Sequence, residues 1–124
     1  MNFITNFLTI QNQLRVYHWQ TQKKVGSFAQ HEAFGKAYLE LDEQIDDFIE
    51  IYQGKKGVIM GNDGFNLKLY NLDSNPMEFM NEVIEYLSVH VTESLDPNTD
   101  TDLLNIRDEM LGLFNKLSYL LTLE

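Results

Sequence analysis

GKKGVIMGNDGFNLKLYNLDSN, residues 54–75, is the stretch on which the fold turns. It holds four of the chain's seven glycines. Helical spacing exists on both sides of it. Phe3, Phe7, Ile10, Leu14 and Tyr17 recur at steps of four and three, which predicts a helix over residues 2–19. Phe34, Tyr38, Leu41, Ile45, Phe48, Ile49 and Tyr52 predict a second helix over residues 28–53. Ser27 is its expected N-cap, with Gln30 completing a capping box and Gly54 as the stop.

Beyond the stretch, Asn75 is an expected N-cap, with Pro76 at the first helical position and Glu78 in the first turn. Met80, Val83, Ile84, Leu87 and Val91 form the stripe of this third helix. Asp96-Pro97-Asn98 signals a turn. A fourth helix follows from about Thr101, carrying Leu103, Leu104, Ile106, Met110, Leu111, Leu113, Phe114, Leu117 and Leu120.

The first and third linkers are short, so each joins antiparallel neighbours. The 22 residues of the middle linker reach about 70 Å when extended, whereas the second helix is about 39 Å long. The linker can therefore run the full length of a bundle. The expected fold is all-α, one domain over residues 1–124: a ferritin-like four-helix bundle with a long crossover between helices 2 and 3. Phe65, Leu67 and Leu69 alternate with polar residues, so part of the crossover is expected as an extended strap or hairpin.

The net charge of −10 disfavours phosphate backbones. Lys23–Lys24 and Lys55–Lys56 are isolated pairs, too little for a nucleic-acid groove, so no nucleic acid is expected. Cysteine is absent, which removes disulfides and thiolate ligands. The first residues lack a basic n-region and a long apolar run, and no stretch approaches a bilayer span, so the reading is cytoplasmic with no membrane.

On a helical wheel with Leu41 at zero, His31 falls near about 80°, Asp42 near 100°, Asp46 near 140° and Glu50 near 180°. These residues flank the core stripe. Asp42, Asp46 and Glu50 are successive i,i+4 carboxylates, which repel by a few tenths of a kcal/mol per pair (roughly 0.2–0.5). A divalent cation removes that penalty. His18 lies on the corresponding edge of the first helix. Carboxylates with one or two imidazoles suit iron, manganese or zinc. Boundary histidines facing water are the bland alternative.

The stretch YHWQTQKKVGSFAQHEAFGKAYLELDEQIDDFIEIYQG, residues 17–54, resembles the signature of the Dps, or miniferritin, family. His18-Trp19 matches the His-Trp pair that ends that family's first helix, and His31-Glu32 the His-Glu pair that opens its second. Asp46 and Glu50 match the Asp and Glu that complete its ligands. The resemblance covers roughly residues 14–54, and short chains of this look are similar to ones encoded by tailed bacteriophages. It implies iron as the metal, with manganese or zinc as alternatives. It also implies a homodimer or larger homo-oligomer, up to a twelve-subunit cage, with His18 and His31 from one copy and Asp46 and Glu50 from another. Gly35 departs from the pattern, because the family carries an Asp ligand there. The resemblance therefore implies metal binding more firmly than ferroxidase activity. The alternative is a non-enzymatic helical interaction or assembly protein that keeps the fold with a degraded site.

Other features read as structural. Trp19 is expected to cap the first helix rather than shield a metal. His90 and Glu93 have an HxxE spacing with no partner motif in the fourth helix. His31-Glu32 does not extend to HExxH, and Gly61-Asn62-Asp63-Gly64 is a turn before it is a calcium loop. Arg107 and Asp108 are expected on the solvent face or in an interface salt bridge.

Overall fold

The computed structural model describes residues 2–23, 28–72 and 76–123. Four helices form: α1 (Phe3–Gln20), α2 (Phe28–Lys56), α3 (Met77–Glu85) and α4 (Thr101–Leu120). A 3-10 turn, Thr21–Lys23, closes α1, and α3 runs directly into a π-helical segment, Tyr86–Val91. The described residues form no strand, only an isolated bridge between Asn62 and Gly64. Among them, no helix is long and apolar enough to cross a membrane.

The helix ends follow local chemistry. Asn2 caps α1, its Oδ1 accepting from the Thr5 N–H at 2.8 Å. Such a cap contributes about 1 kcal/mol. α2 runs past the expected stop at Gly54 and ends at Lys56. Gly57 takes a left-handed φ of 96° and donates its N–H to the Gln53 carbonyl at 2.9 Å. Only that conformation turns the chain out of the helix here, and glycine adopts it without a Cβ penalty. Ser27 and Asn75, the expected caps of the second and third helices, lie outside the described residues. Pro76 stands one place before the first helical residue of α3, its carbonyl accepting from the Met80 N–H at 3.1 Å.

The core is built from the predicted stripes. Phe7, Leu14, Phe34, Leu41, Phe48, Met80, Leu87, Leu103, Met110 and Phe114 are among its buried side chains. Ring contacts fix the helix directions. Phe7 meets Phe48 at 5.0 Å and Tyr17 meets Phe34 at 5.5 Å, so α1 and α2 are antiparallel. Tyr17 also meets Phe79 at 5.5 Å and Phe7 meets Tyr86 at 6.0 Å, so α3 is antiparallel to α1 as well. α2 and α3 therefore point the same way, and residues 57–72 travel from one end of the molecule to the other. α4 begins where α2 ends: Lys55 Nζ lies 2.8 Å from Asp102 and 3.0 Å from Asp100, and Lys56 Nζ lies 2.8 Å from Asp100.

Glutamine side chains hold the connecting strap. Near its start, the Gln53 Oε1 accepts from the Ile59 N–H at 3.0 Å. Buried Gln13 on α1 grips Tyr70 twice, its Oε1 accepting from the Tyr70 N–H at 2.7 Å and its Nε2 donating to the Tyr70 carbonyl at 2.8 Å. Gln20 repeats the device one end further on, accepting from the Leu72 N–H at 2.6 Å and donating to Asn71 Oδ1 at 2.9 Å. Each amide does for an extended chain what a neighbouring strand does elsewhere, supplying partners to the backbone. Phe65, Leu67 and Leu69 are all exposed, as are the polar residues between them, so the alternation marks no buried face of the strap.

Candidate metal centre

The last turn of α1 and the first turns of α2 bring His18 and His31 face to face. Their rings stack with centroids 3.9 Å apart and planes 22° from parallel. The two residues are bonded reciprocally: His18 Nδ1 lies 2.8 Å from the His31 carbonyl, and His31 Nδ1 lies 2.9 Å from the His18 carbonyl. A carbonyl only accepts, so each Nδ1 carries the proton and donates it. In the neutral ring, Nε2 then holds the lone pair. Thr21 completes the lock. Its hydroxyl donates to the His18 carbonyl at 2.6 Å, and its oxygen stands 3.0 Å from His31 Nδ1. Carbonyl-held Nδ1–H groups that fix ring orientation are the arrangement metal-ligating histidines ordinarily have.

Gly35 makes the pair possible. A Cβ built there falls 2.8 Å from His18 Cε1 and 3.0 Å from His18 Nδ1. The His18 ring thus occupies the space beside residue 35, and any larger residue there collides with it. Tyr38 flanks His18 on another side, ring centroids 5.5 Å apart, and the Arg15 guanidinium lies 5.0 Å over the Tyr38 ring.

The carboxylates lie elsewhere. Asp42 accepts from the Gln11 Nε2 at 2.8 Å, which anchors it to α1. Asp46 and Glu50 are exposed on α2. Fifteen residues of helix separate His31 from Asp46, about 22 Å along the axis. One chain therefore brings His18 and His31 together, but not with Asp46 or Glu50. Among the described residues, no group of three His, Asp or Glu side chains is arranged to hold a metal ion.

Several side chains differ from their sequence reading. Trp19 is 61% exposed, so it neither caps the core nor shields the histidines. Arg107 does more than face solvent. Besides Asp108 at 2.9 Å, it donates to the Leu87 carbonyl at 3.1 Å and to Thr92 Oγ1, tying α4 to the π segment. Thr21 was missed by ligand spacing, because its hydroxyl acts on the histidine pair itself. Its signal is a hydroxyl three residues after His18, the usual reach of a Thr side chain back to a helical carbonyl. Lys55 and Lys56 clamp α2 to the start of α4, while Lys24 lies outside the described residues.

Residues 18–121 match a family described as a family of unknown function, DUF5856. The chain belongs to DUF5856. The DUF5856 match begins at His18 and takes in the histidine pair, Gly35, the acidic face of α2 and all of α3 and α4. No curated protein and no solved structure matches the chain.

Proposed function

We propose that this protein is a Dps-like metal-binding protein that binds iron at a site shared between two copies of the chain. The observation that carries the reading is the reciprocal Nδ1–carbonyl lock, which leaves both Nε2 atoms as the ring lone pairs. His18 and His31 would be the nitrogen ligands, and Asp46 and Glu50 of the second copy the oxygen ligands. This mixed donor set suits iron, and also manganese or zinc. Bound Fe(II) is the substrate, open to oxidation by oxygen or peroxide, with carboxylates retaining the ferric product.

The outer face of α2 supports pairing with a second copy. Phe28, Leu39, Asp46 and Glu50 fall within about 40° of one another on the helical wheel. Phe28 is 71% exposed and Leu39 62% exposed, both large apolar side chains left mostly uncovered by the described residues. A twofold axis crossing α2 near residues 39–40 places His31 of one copy opposite Asp46 and Glu50 of the other. Leu39 then lies at the self-complementary centre, where an isologous contact pairs a residue with itself. The helix directions, with α2 and α3 parallel and joined by a full-length strap, support the ferritin-like reading of the fold.

A second reading rests on Gly35. With the His18 ring filling the space beside that residue, the expected carboxylate has no room, and the chain would be a helical assembly protein with a degraded site. Anaerobic Fe(II) titration followed by oxidant separates the two. Wild type should take up iron, and His31→Ala should lose at least about tenfold in affinity, the scale of one removed ligand or its support. Equal uptake by wild type and His31→Ala eliminates the metal reading. A melting temperature indifferent to EDTA and to added iron, manganese and zinc favours the assembly reading.

A further inference from the structure

At the other end of α1, about 18 Å from His18 along the helix axis, lies a separate cleft. It measures about 710 Å³ and opens between the first turns of α1, the last turns of α2 and the π segment. That volume is within the range of small-molecule sites. Its walls include the rings of Phe3, Tyr52 and Tyr86, with Asn6, His90 and Glu93 at the polar side.

The π segment gives the cleft its shape. A run of i→i+5 winding is rare, and where it occurs it commonly marks a functional site. Here Tyr86 and His90, four residues apart, line the cleft together with their rings 6.2 Å apart. The Asn6 Nδ2 donates to the Tyr86 hydroxyl oxygen at 3.1 Å. The phenol's own proton has no acceptor among the described residues. Burial raises the Tyr86 phenol to about 12, so that proton stays in place at neutral pH.

Among the described residues the only acid lining the cleft is Glu93, and the chain carries a net charge of −10. An anion is therefore disfavoured, and a cation meets both a carboxylate and aromatic faces. We propose that the cleft binds a small aralkylammonium ligand, its ammonium toward Glu93, its ring among Phe3, Tyr52 and Tyr86, and an oxygen on that ring accepting from the Tyr86 hydroxyl. The site shares no residue with the histidine pair and stands or falls apart from it.

Three probes test it by amide chemical-shift mapping on the full chain: tyramine, 4-hydroxyphenylacetate and 2-phenylethylamine. Tyramine should shift residues 2–6 and 86–94. Its charge-reversed analogue should leave them unmoved, and 2-phenylethylamine, which lacks the oxygen, should bind more weakly than tyramine. Glu93 is exposed, so Glu93→Gln keeps the fold, and it should weaken tyramine binding about threefold, the scale of an exposed ion pair. The proposal is overturned if tyramine shifts nothing, if the shifts map elsewhere, if the carboxylate probe binds as well, or if Glu93→Gln binds tyramine unchanged.

Discussion

Gly35 shows how one missing Cβ decides a site. In most helical positions glycine weakens a helix by about 0.5–1 kcal/mol relative to alanine. Gly112 on α4 is such a position, exposed and with nothing within 4 Å of a Cβ built there. Gly112→Ala should therefore raise stability by about 0.5–1 kcal/mol in urea unfolding. Gly35→Ala should do the opposite and lower it by about 1 kcal/mol, because the new methyl displaces a ring pinned through Nδ1. The same variant should move the His18 ring resonances, which Gly112→Ala leaves in place. Sequence spacing pointed to His18 and His31 as neighbours but read Gly35 only as a lost ligand. A close approach between a ring on one helix and the backbone of another leaves no trace in either helix's own pattern.

Helices and their connections carry a second set of consequences. The clamp between the end of α2 and the start of α4 centres on Asp100, which is 1% exposed. The Asp96 N–H, then Lys56 and Lys55, hold its carboxyl well below the usual carboxylate range. Its folded pKa is depressed, so the stability it contributes is complete above the unfolded value of 3.8 and is lost as pH falls below it. Asp100→Asn should lower the urea midpoint at pH 6 and flatten its fall between pH 4 and pH 2. The strap depends on Gln13. Gln13→Ala removes both bonds to Tyr70, which should cost about 1–3 kcal/mol and speed hydrogen exchange at the Tyr70 amide. The helix stripes were legible in sequence, since they follow the period of the backbone. Buried Gln13 was not, because its partners are the backbone atoms of Tyr70, 57 residues away. The π segment was equally silent, as the apolar residues Met80, Val83, Leu87 and Val91 suit ordinary helical spacing as well.

At the scale of the whole molecule, the four helices were legible in sequence, and the length of residues 54–75 is what allows α2 and α3 to run parallel. Chain length and directions are global quantities that sequence states openly. The proposed metal site is different, since its histidine and carboxylate halves lie about 22 Å apart along α2 and would meet only if a second copy brought them together. The exposed Phe28 and Leu39 on that face predict self-association, so Leu39→Glu should convert dimers or larger assemblies to monomer in analytical ultracentrifugation. A crystal structure of the protein soaked anaerobically with Fe(II) tests the central claim most directly. Metal density bonded to Nε2 of His18 or His31 and to Asp46 or Glu50 of a second copy is the predicted result. A second copy packed elsewhere, with both Nε2 atoms free of metal, contradicts it.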